Sequence, residues 1–293
     1  MSWFQDYKAS LKLVEVEELA DLFFFRPLAA LFVKLVYPTN ITPNQITTVA
    51  LIIGVIGGWL YVFNTPPYLA IAATLLIIYD ILDCSDGQLA RLKKNGTFFG
   101  RILDGVSDYF VSTAIYLGIG FGFASQSDDP VFYWGLVILA GLSNAGHAIT
   151  LDYYRNRFLD YALDRDPLLG DNLKEYEEEL QKEKEKGGNY FQRFIIWLYL
   201  KYSTLQLSLS QSSIETETKK YDTEDFYKKH KTIIHLWSYI GPSSELSFLI
   251  ICSYFNRLDI YLYGLVTVLN VYAIILYFFQ RRINHSTKLA GSK

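Results

Sequence analysis

Eight residues between positions 83 and 108 carry the chemistry legible in this chain: Asp83-x2-Asp86-Gly87-x2-Ala90-Arg91-x8-Gly100-x3-Asp104-x3-Asp108. Spacings of three and four put Asp83, Asp86 and Ala90 on one helix face, and Gly100, Asp104 and Asp108 on another. Asn95-Gly96, between the two runs, is a turn signal. If the chain reverses there as an antiparallel helix pair, Asp83 faces Asp108, Gly87 faces Asp104 and Arg91 faces Gly100. Carboxylates from two helices then converge, with Gly87, Ala90 and Gly100 leaving room beside them. Four such groups repel strongly in a low-dielectric site. Two divalent cations would neutralise them, and all-oxygen ligation suits such ions.

The elements that must hold this group are membrane spans. The chain has 293 residues, 51% hydrophobic and 16% aromatic, with 19% charged. That charged share lies below the roughly 25% of soluble domains. Disorder, collagen-like repeats and a disulfide scaffold are excluded. A net charge of -3 carries no nucleic-acid signal. The mean hydropathy is only +0.15, because long apolar stretches alternate with one charged block. Six stretches approach the ~20 apolar residues a span needs: 46–63, 68–82, 104–124, 131–151, 233–253 and 260–280. Gly54 and Gly58, and Gly118 and Gly122, have the small-xxx-small spacing of close helix packing.

The positive charges give a direction. Of 27 Lys and Arg residues, all but Arg257 fall on one side of a six-span arrangement. The positive-inside bias then places both termini and the four aspartates in the cytoplasm. Met1 to Lys12 is polar with no apolar core following at once, so no cleavable signal peptide is expected. Val14 to Val36 reads as an interfacial amphipathic helix, with Leu19, Phe23, Phe24, Leu28, Leu31 and Leu35 on a broad apolar face. Thr42-Pro43-Asn44-Gln45 is a helix start, with Thr42 as N-cap, Pro43 at the first position and Gln45 closing a capping box. Cys84 and Cys252 read as buried free thiols.

The eight-residue pattern resembles the signature of the CDP-alcohol phosphotransferase family, without a departure. The order of elements agrees over roughly residues 20–155 and more loosely through 233–281. The resemblance implies an all-α, six-span membrane protein, a homodimer, with its site on the cytoplasmic side. It implies that Asp83, Asp86, Asp104 and Asp108 hold two divalent cations, Mg²⁺ or Mn²⁺. Asp108 matches the general base. Asp83, Gly87, Ala90, Arg91, Gly100 and Asn44 match the donor-binding positions, with Arg91 at the diphosphate. Such a transfer rests on positioning and charge neutralisation and releases CMP.

The acceptor is less legible. Asp152-Tyr153-Tyr154-Arg155-Asn156-Arg157 partly resembles the Tyr-x-Arg-x-Arg segment of phosphatidylinositol- and phosphatidylinositol-phosphate-type synthases. Arg155 and Arg157 fit a phosphorylated acceptor or a positive-inside flank equally well. Glu245, inside the fifth stretch, either lines an acceptor pocket or pairs with an arginine. His147 reads as a packed polar residue rather than a ligand. The expected reaction is transfer from CDP-diacylglycerol to inositol or inositol phosphate. Alternatives are a choline- or ethanolamine-type transfer to diacylglycerol, transfer to serine or glycerol phosphate, and a non-catalytic membrane protein.

The expected organisation is a cytoplasmic segment over 1–45 containing the interfacial helix and a catalytic core of four spans over 46–157. A charged cytoplasmic insert over 158–232, spans five and six over 233–281, and a tail over 282–293 complete it. Within the insert, Asp164 to Lys186 reads as a solvated helix and Phe191 to Lys201 as an interfacial one. The topology and short loops fit a prokaryotic inner membrane, with lipid, a CDP-linked donor and an alcohol as partners.

Overall fold

The computed structural model describes residues 16–162 and 221–290, with 193–201 and a few isolated positions between 177 and 204. The expected segment from Met1 to Lys12 and most of the charged block from Asp164 to Lys186 lie outside the described residues. The described elements are helices. They fall into two compact units, residues 1–148 with 238–273, and residues 149–237 with 274–293.

The first unit holds the eight-residue pattern. A π-helical turn, Asp21–Phe25, leads into α1, Arg26–Val36. This helix is apolar on two faces. Phe25, Ala29, Ala30, Val33 and Val36 are buried, whereas Phe23, Leu31 and Leu35 are exposed, as an interfacial helix requires. Next comes α2, Pro43–Trp59, and its start follows the expected capping box. Gln45 N donates to Thr42 Oγ1 at 3.3 Å, and Thr42 N donates to Gln45 Oε1 at 3.0 Å. The helix tightens into a 3-10 turn over Leu60–Phe63 and stops at Asn64, whose φ is 41°. Then α3, Pro66–Lys93, runs for 28 residues. The chain reverses and α4, Phe98–Ser125, returns. Thr97 caps it, its Oγ1 accepting from Gly100 N at 2.9 Å.

Glycines close the crossing of α2 and α4. A Cβ on Gly58 would lie 2.7 Å from Ile115 N, and one on Gly54 would lie 2.6 Å from Val111 Cγ2. A Cβ on Gly118 would overlap the Gly58 carbonyl. The small-residue spacing therefore brings backbone against backbone, as read from the sequence.

Among the described residues, five helices are long and apolar enough to cross a membrane: Pro43–Phe63, Pro66–Lys93, Phe99–Ser125, Pro130–Ala162 and Leu258–Ser286. The expected fifth stretch, 233–253, is not one helix. It comprises the end of α6, Thr223–Trp237, a 3-10 turn over Ser238–Ile240, and α7, Pro242–Tyr254, of 13 residues. Pro242 has no N–H to continue the preceding helix and sits at the first position of a new one. Glu18 caps that new helix from a distant part of the chain, accepting from Ser244 N at 3.0 Å and Ser244 Oγ at 3.2 Å. A Cβ at Gly241 would overlap the Glu18 carboxylate. The last span is α8, Leu258–Tyr263, a π turn over Gly264–Leu269, and α9, Asn270–Ser286.

The second unit contains the end of α5, Pro130–Ala162, together with α6 and the end of α9. Its core is aromatic. Tyr154 stacks on Trp237 with centroids 4.9 Å apart, and Phe226 stacks on His230 at 3.8 Å. Residues 193–201 are helical, and Ile195 and Ile196 are buried while Phe194 and Trp197 are exposed.

Candidate active site

The site forms where the C-terminal end of α3 meets the start of α4, inside the first unit. The reversal between them runs from Lys94 to Thr97 and so contains Asn95-Gly96, with the positive φ, 51°, on Lys94. Lys93 fixes that point, because its Nζ donates to the carbonyls of Thr39 at 2.8 Å and Ile41 at 2.9 Å. Lys94 N–H caps α3 on the Ala90 carbonyl. Asp83 and Asp86 meet Asp104, and their carboxylate oxygens lie within 4.8 Å of one another. Asp108 meets Tyr79, whose hydroxyl donates to Asp108 Oδ1 at 2.5 Å.

These aspartates fit a divalent cation. Asp83 Oδ1 is buried and receives no hydrogen bond, and Asp86 accepts from Thr47 Oγ1. A close carboxylate triad with an unfilled oxygen is an all-oxygen donor set lacking its counter-charge.

The donor-side positions cluster beside it. A Cβ on Gly87 would lie 3.3 Å from Arg91 Nη1, so the missing side chain gives the guanidinium its place over α3. Asn44 Nδ2 donates to Thr97 Oγ1 at 3.2 Å. A Cβ on Gly100 would overlap Asn44 Oδ1. Asn44, Thr97 and Gly100 thus pin the start of α2 to the start of α4.

A cavity opens at Asp83 and Asp108 and continues along both helices away from the reversal, lined by Tyr79, Asp80, Ser112, Tyr116 and Asn144. Its volume is about 100 Å³. Tyr116 and Tyr261 share a hydroxyl hydrogen bond of 2.9 Å at the far end. Asn144 Nδ2 donates to Glu245 Oε2 at 2.5 Å, and His147 Nδ1 lies 2.6 Å from Glu245 Oε1. Glu245 is thus held by Asn144 and His147, and Asn144 is its link to the cavity wall.

Arg155 and Arg157 belong to the second unit. Arg155 lies 3.7 Å from Asp152. Arg157 Nη1 donates to Tyr153 Oη at 2.9 Å, and its guanidinium lies 5.7 Å from the ring centres of Tyr161 and Tyr221. Cys84 and Cys252 are buried free thiols, as expected.

Sequence reasoning passed over Thr47, Tyr79, Asp80 and Asn144. Tyr79 and Asp80 carried a usable signal, since they precede Asp83 by four and three residues and share its helix face. Thr47 and Asn144 carried none, because their partners come from other helices.

Residues 40–151 match the family model for CDP-alcohol phosphatidyltransferase. Over 130 residues the chain is 26% identical to a bifunctional IPC transferase and DIPP synthase of Thermococcus kodakarensis, covering 44% of this chain and 28% of that one. Over 104 residues it is 32% identical to a phosphatidylinositol phosphate synthase of Corynebacterium glutamicum, covering 36% and 45%. Over 112 residues it is 34% identical to an uncharacterized protein of Aquifex aeolicus, covering 38% and 54%. The chain spans about half or less of the length of these relatives.

Proposed function

We propose, from the membership of residues 40–151 in the CDP-alcohol phosphatidyltransferase family, that this integral membrane protein moves a phosphatidyl group from CDP-diacylglycerol to an alcohol. The best reading of the acceptor is inositol or inositol phosphate, as the name of the Corynebacterium relative suggests. The observation that carries the proposal is the carboxylate triad of Asp83, Asp86 and Asp104 beside Asp108, at one mouth of a cavity.

Asp83, Asp86, Asp104 and Asp108 would hold two divalent cations, Mg²⁺ or Mn²⁺. Bound there, such ions would supply charge neutralisation at the diphosphate and for CMP as the leaving group. Arg91, over Gly87, binds the diphosphate, and Asn44 with Gly100 shapes the cytidine side. Asp108, oriented by Tyr79, takes the proton from the acceptor hydroxyl. The acceptor oxygen then bonds to the phosphorus that carries diacylglycerol, and the bond from that phosphorus to the CMP oxygen breaks. Residues 158–232 form an insert on the catalytic core, and the active form is a homodimer in a prokaryotic inner membrane.

The test is CMP release by the purified chain supplied with CDP-diacylglycerol, inositol and Mn²⁺. Chelation should abolish release, and Asp108→Ala should lower it by roughly 10²–10⁴-fold, the range for a general base. Unchanged release from Asp108→Ala removes the base assignment. No metal-dependent release from any CDP-alcohol removes the enzyme.

A further inference from the structure

The cavity contains a carboxyl group that the eight-residue pattern does not include. Asp80 lies one helical turn from Asp83 along α3, on the side away from the reversal, and lines the cavity wall. Asp80 is only 5% exposed, yet its Oδ2 receives no hydrogen bond. Native proteins leave few buried polar atoms without a partner, because each forfeits its hydration for nothing. The Asp80 carboxylate lies within 4.8 Å of a carboxylate oxygen of Asp21 and of Cys84 Sγ, neither of which supplies that bond, and because Asp80 lines the cavity the missing donor can come from a substrate.

The rest of the wall says what kind of donor. Ser112, and then Tyr116, follow Asp108 along α4 by one and two turns. Tyr116 is hydrogen-bonded to Tyr261, and Asn144 is anchored by Glu245. Neutral hydroxyls and an amide thus stand opposite Asp80. Asp83 and Asp108 would be covered by the cations, which leaves Asp80 as the carboxyl group presented to an acceptor in this space. A phosphate monoester carried into it meets charge of its own sign, whereas hydroxyl groups meet acceptors.

We propose that Asp80 is an acceptor-binding residue, that it takes a hydroxyl of the alcohol substrate, and that this substrate is an uncharged polyol of inositol type rather than its phosphate ester. The inference rests on the transferase reading and narrows it. A site built to hydrogen-bond a hydroxyl discriminates strongly against ligands that leave its groups unpaired.

The test compares inositol, inositol 1-phosphate, serine and ethanolamine as acceptors for the full chain, with CDP-diacylglycerol and Mn²⁺. Wild type should use inositol with kcat/KM at least roughly 10-fold above the others. Asp80→Asn and Asp80→Ser should raise KM for inositol roughly 10-fold, leaving kcat and the Mn²⁺ activation midpoint in place. Preference for the phosphate ester or for an amine overturns the proposal. So does an unchanged KM, or a moved Mn²⁺ midpoint, which would make Asp80 a metal ligand. Should neither variant fold, the wild-type preference still decides the substrate class. CMP release from wild type with an unchanged KM in the variants leaves the transferase reading standing, whereas no release with any acceptor removes that reading itself.

Discussion

At the scale of the residue, the site depends on atoms that are missing as much as on those present. Gly100 is the sharpest case. Its Cα faces Asn44 Oδ1 so closely that a methyl group would overlap it, and Thr97 Oγ1 would lie 3.0 Å away. Gly100→Ala is therefore expected to lower stability by about 1–3 kcal/mol, the usual penalty for overpacking. The start of α4 would shift with it, and Asp104 follows one turn later. CMP release should fall together with the melting temperature in detergent. Asn44→Ala in the same chain should restore the space and recover the melting temperature, a coupling that a double-mutant cycle reads directly. Full stability of Gly100→Ala alone would refute the contact.

At the scale of the element, the helix starts and the reversal between α3 and α4 were legible, and the residue that takes the positive φ was not. Thr42-Pro43-Asn44-Gln45 and Thr97 cap α2 and α4 through bonds spanning three residues, so local sequence suffices. Asn95-Gly96 marked the reversal because Gly adopts positive φ at no steric penalty. The positive φ falls on Lys94 because the preceding Lys93 is tied to the carbonyls of Thr39 and Ile41, more than fifty positions away. Likewise, nothing near Gly241-Pro242 announces that Glu18 caps α7. A bond between groups 226 positions apart leaves no local trace.

A pH response also belongs to this scale. His230 on α6 stacks on Phe226. Its Nδ1 contacts the Phe226 carbonyl at 2.9 Å and its Nε2 contacts Asn284 Oδ1 at 3.0 Å. Burial, with Arg157 and Lys229 nearby, holds its pKa below the ordinary value despite those bonds. The folded chain thus prefers the neutral ring. Above ~6.5, the ordinary value, both folded and unfolded rings are neutral and the contribution is complete. As pH falls through that value the unfolded ring takes its proton first, and stability is lost. Protection factors over α6, which remove the pH dependence of intrinsic amide exchange, should therefore fall between pH 7.5 and 5.5 in wild type and change less in His230→Gln. Equal change in both would show that other groups set the response.

At the scale of the whole molecule, the sequence showed the membrane class and the site but not the division of labour among helices. Buried share of the apolar window falls from 50% in the span containing α3 to 17% in the span from Leu258 to Ser286. Hydropathy reads both as spans, because lipid and protein interior are equally apolar to a side chain. Only packing distinguishes the helix that carries Asp80, Asp83 and Asp86 from one that faces outward. The same limit explains Asp80: its spacing put it on the active face, and only the cavity and the unfilled oxygen gave it a role. The charge bias makes its own prediction. In a chain with Cys84 and Cys252 replaced by Ser, Asp128→Cys should react with an impermeant maleimide on intact cells, and Asn95→Cys only after lysis. The opposite pattern would invert the topology.

The glycine seam between α2 and α4 has a consequence for motion. With Gly58 against Ile115 N and Gly118 against the Gly58 carbonyl, the two backbones touch directly at these points, which resists sliding. The carboxylates on α4 are thereby indexed to α2, and Thr47 on α2 is bonded to Asp86 on α3. These three helices must travel as one body. Any widening that admits a substrate then falls to α7, which brings Ser243 and Leu246 to the cavity wall and begins at a break in the chain. Its first turn rests on the Glu18 carboxylate. The gate of such an enzyme would be worked from its N-terminal segment, far in sequence from the groups that do the chemistry.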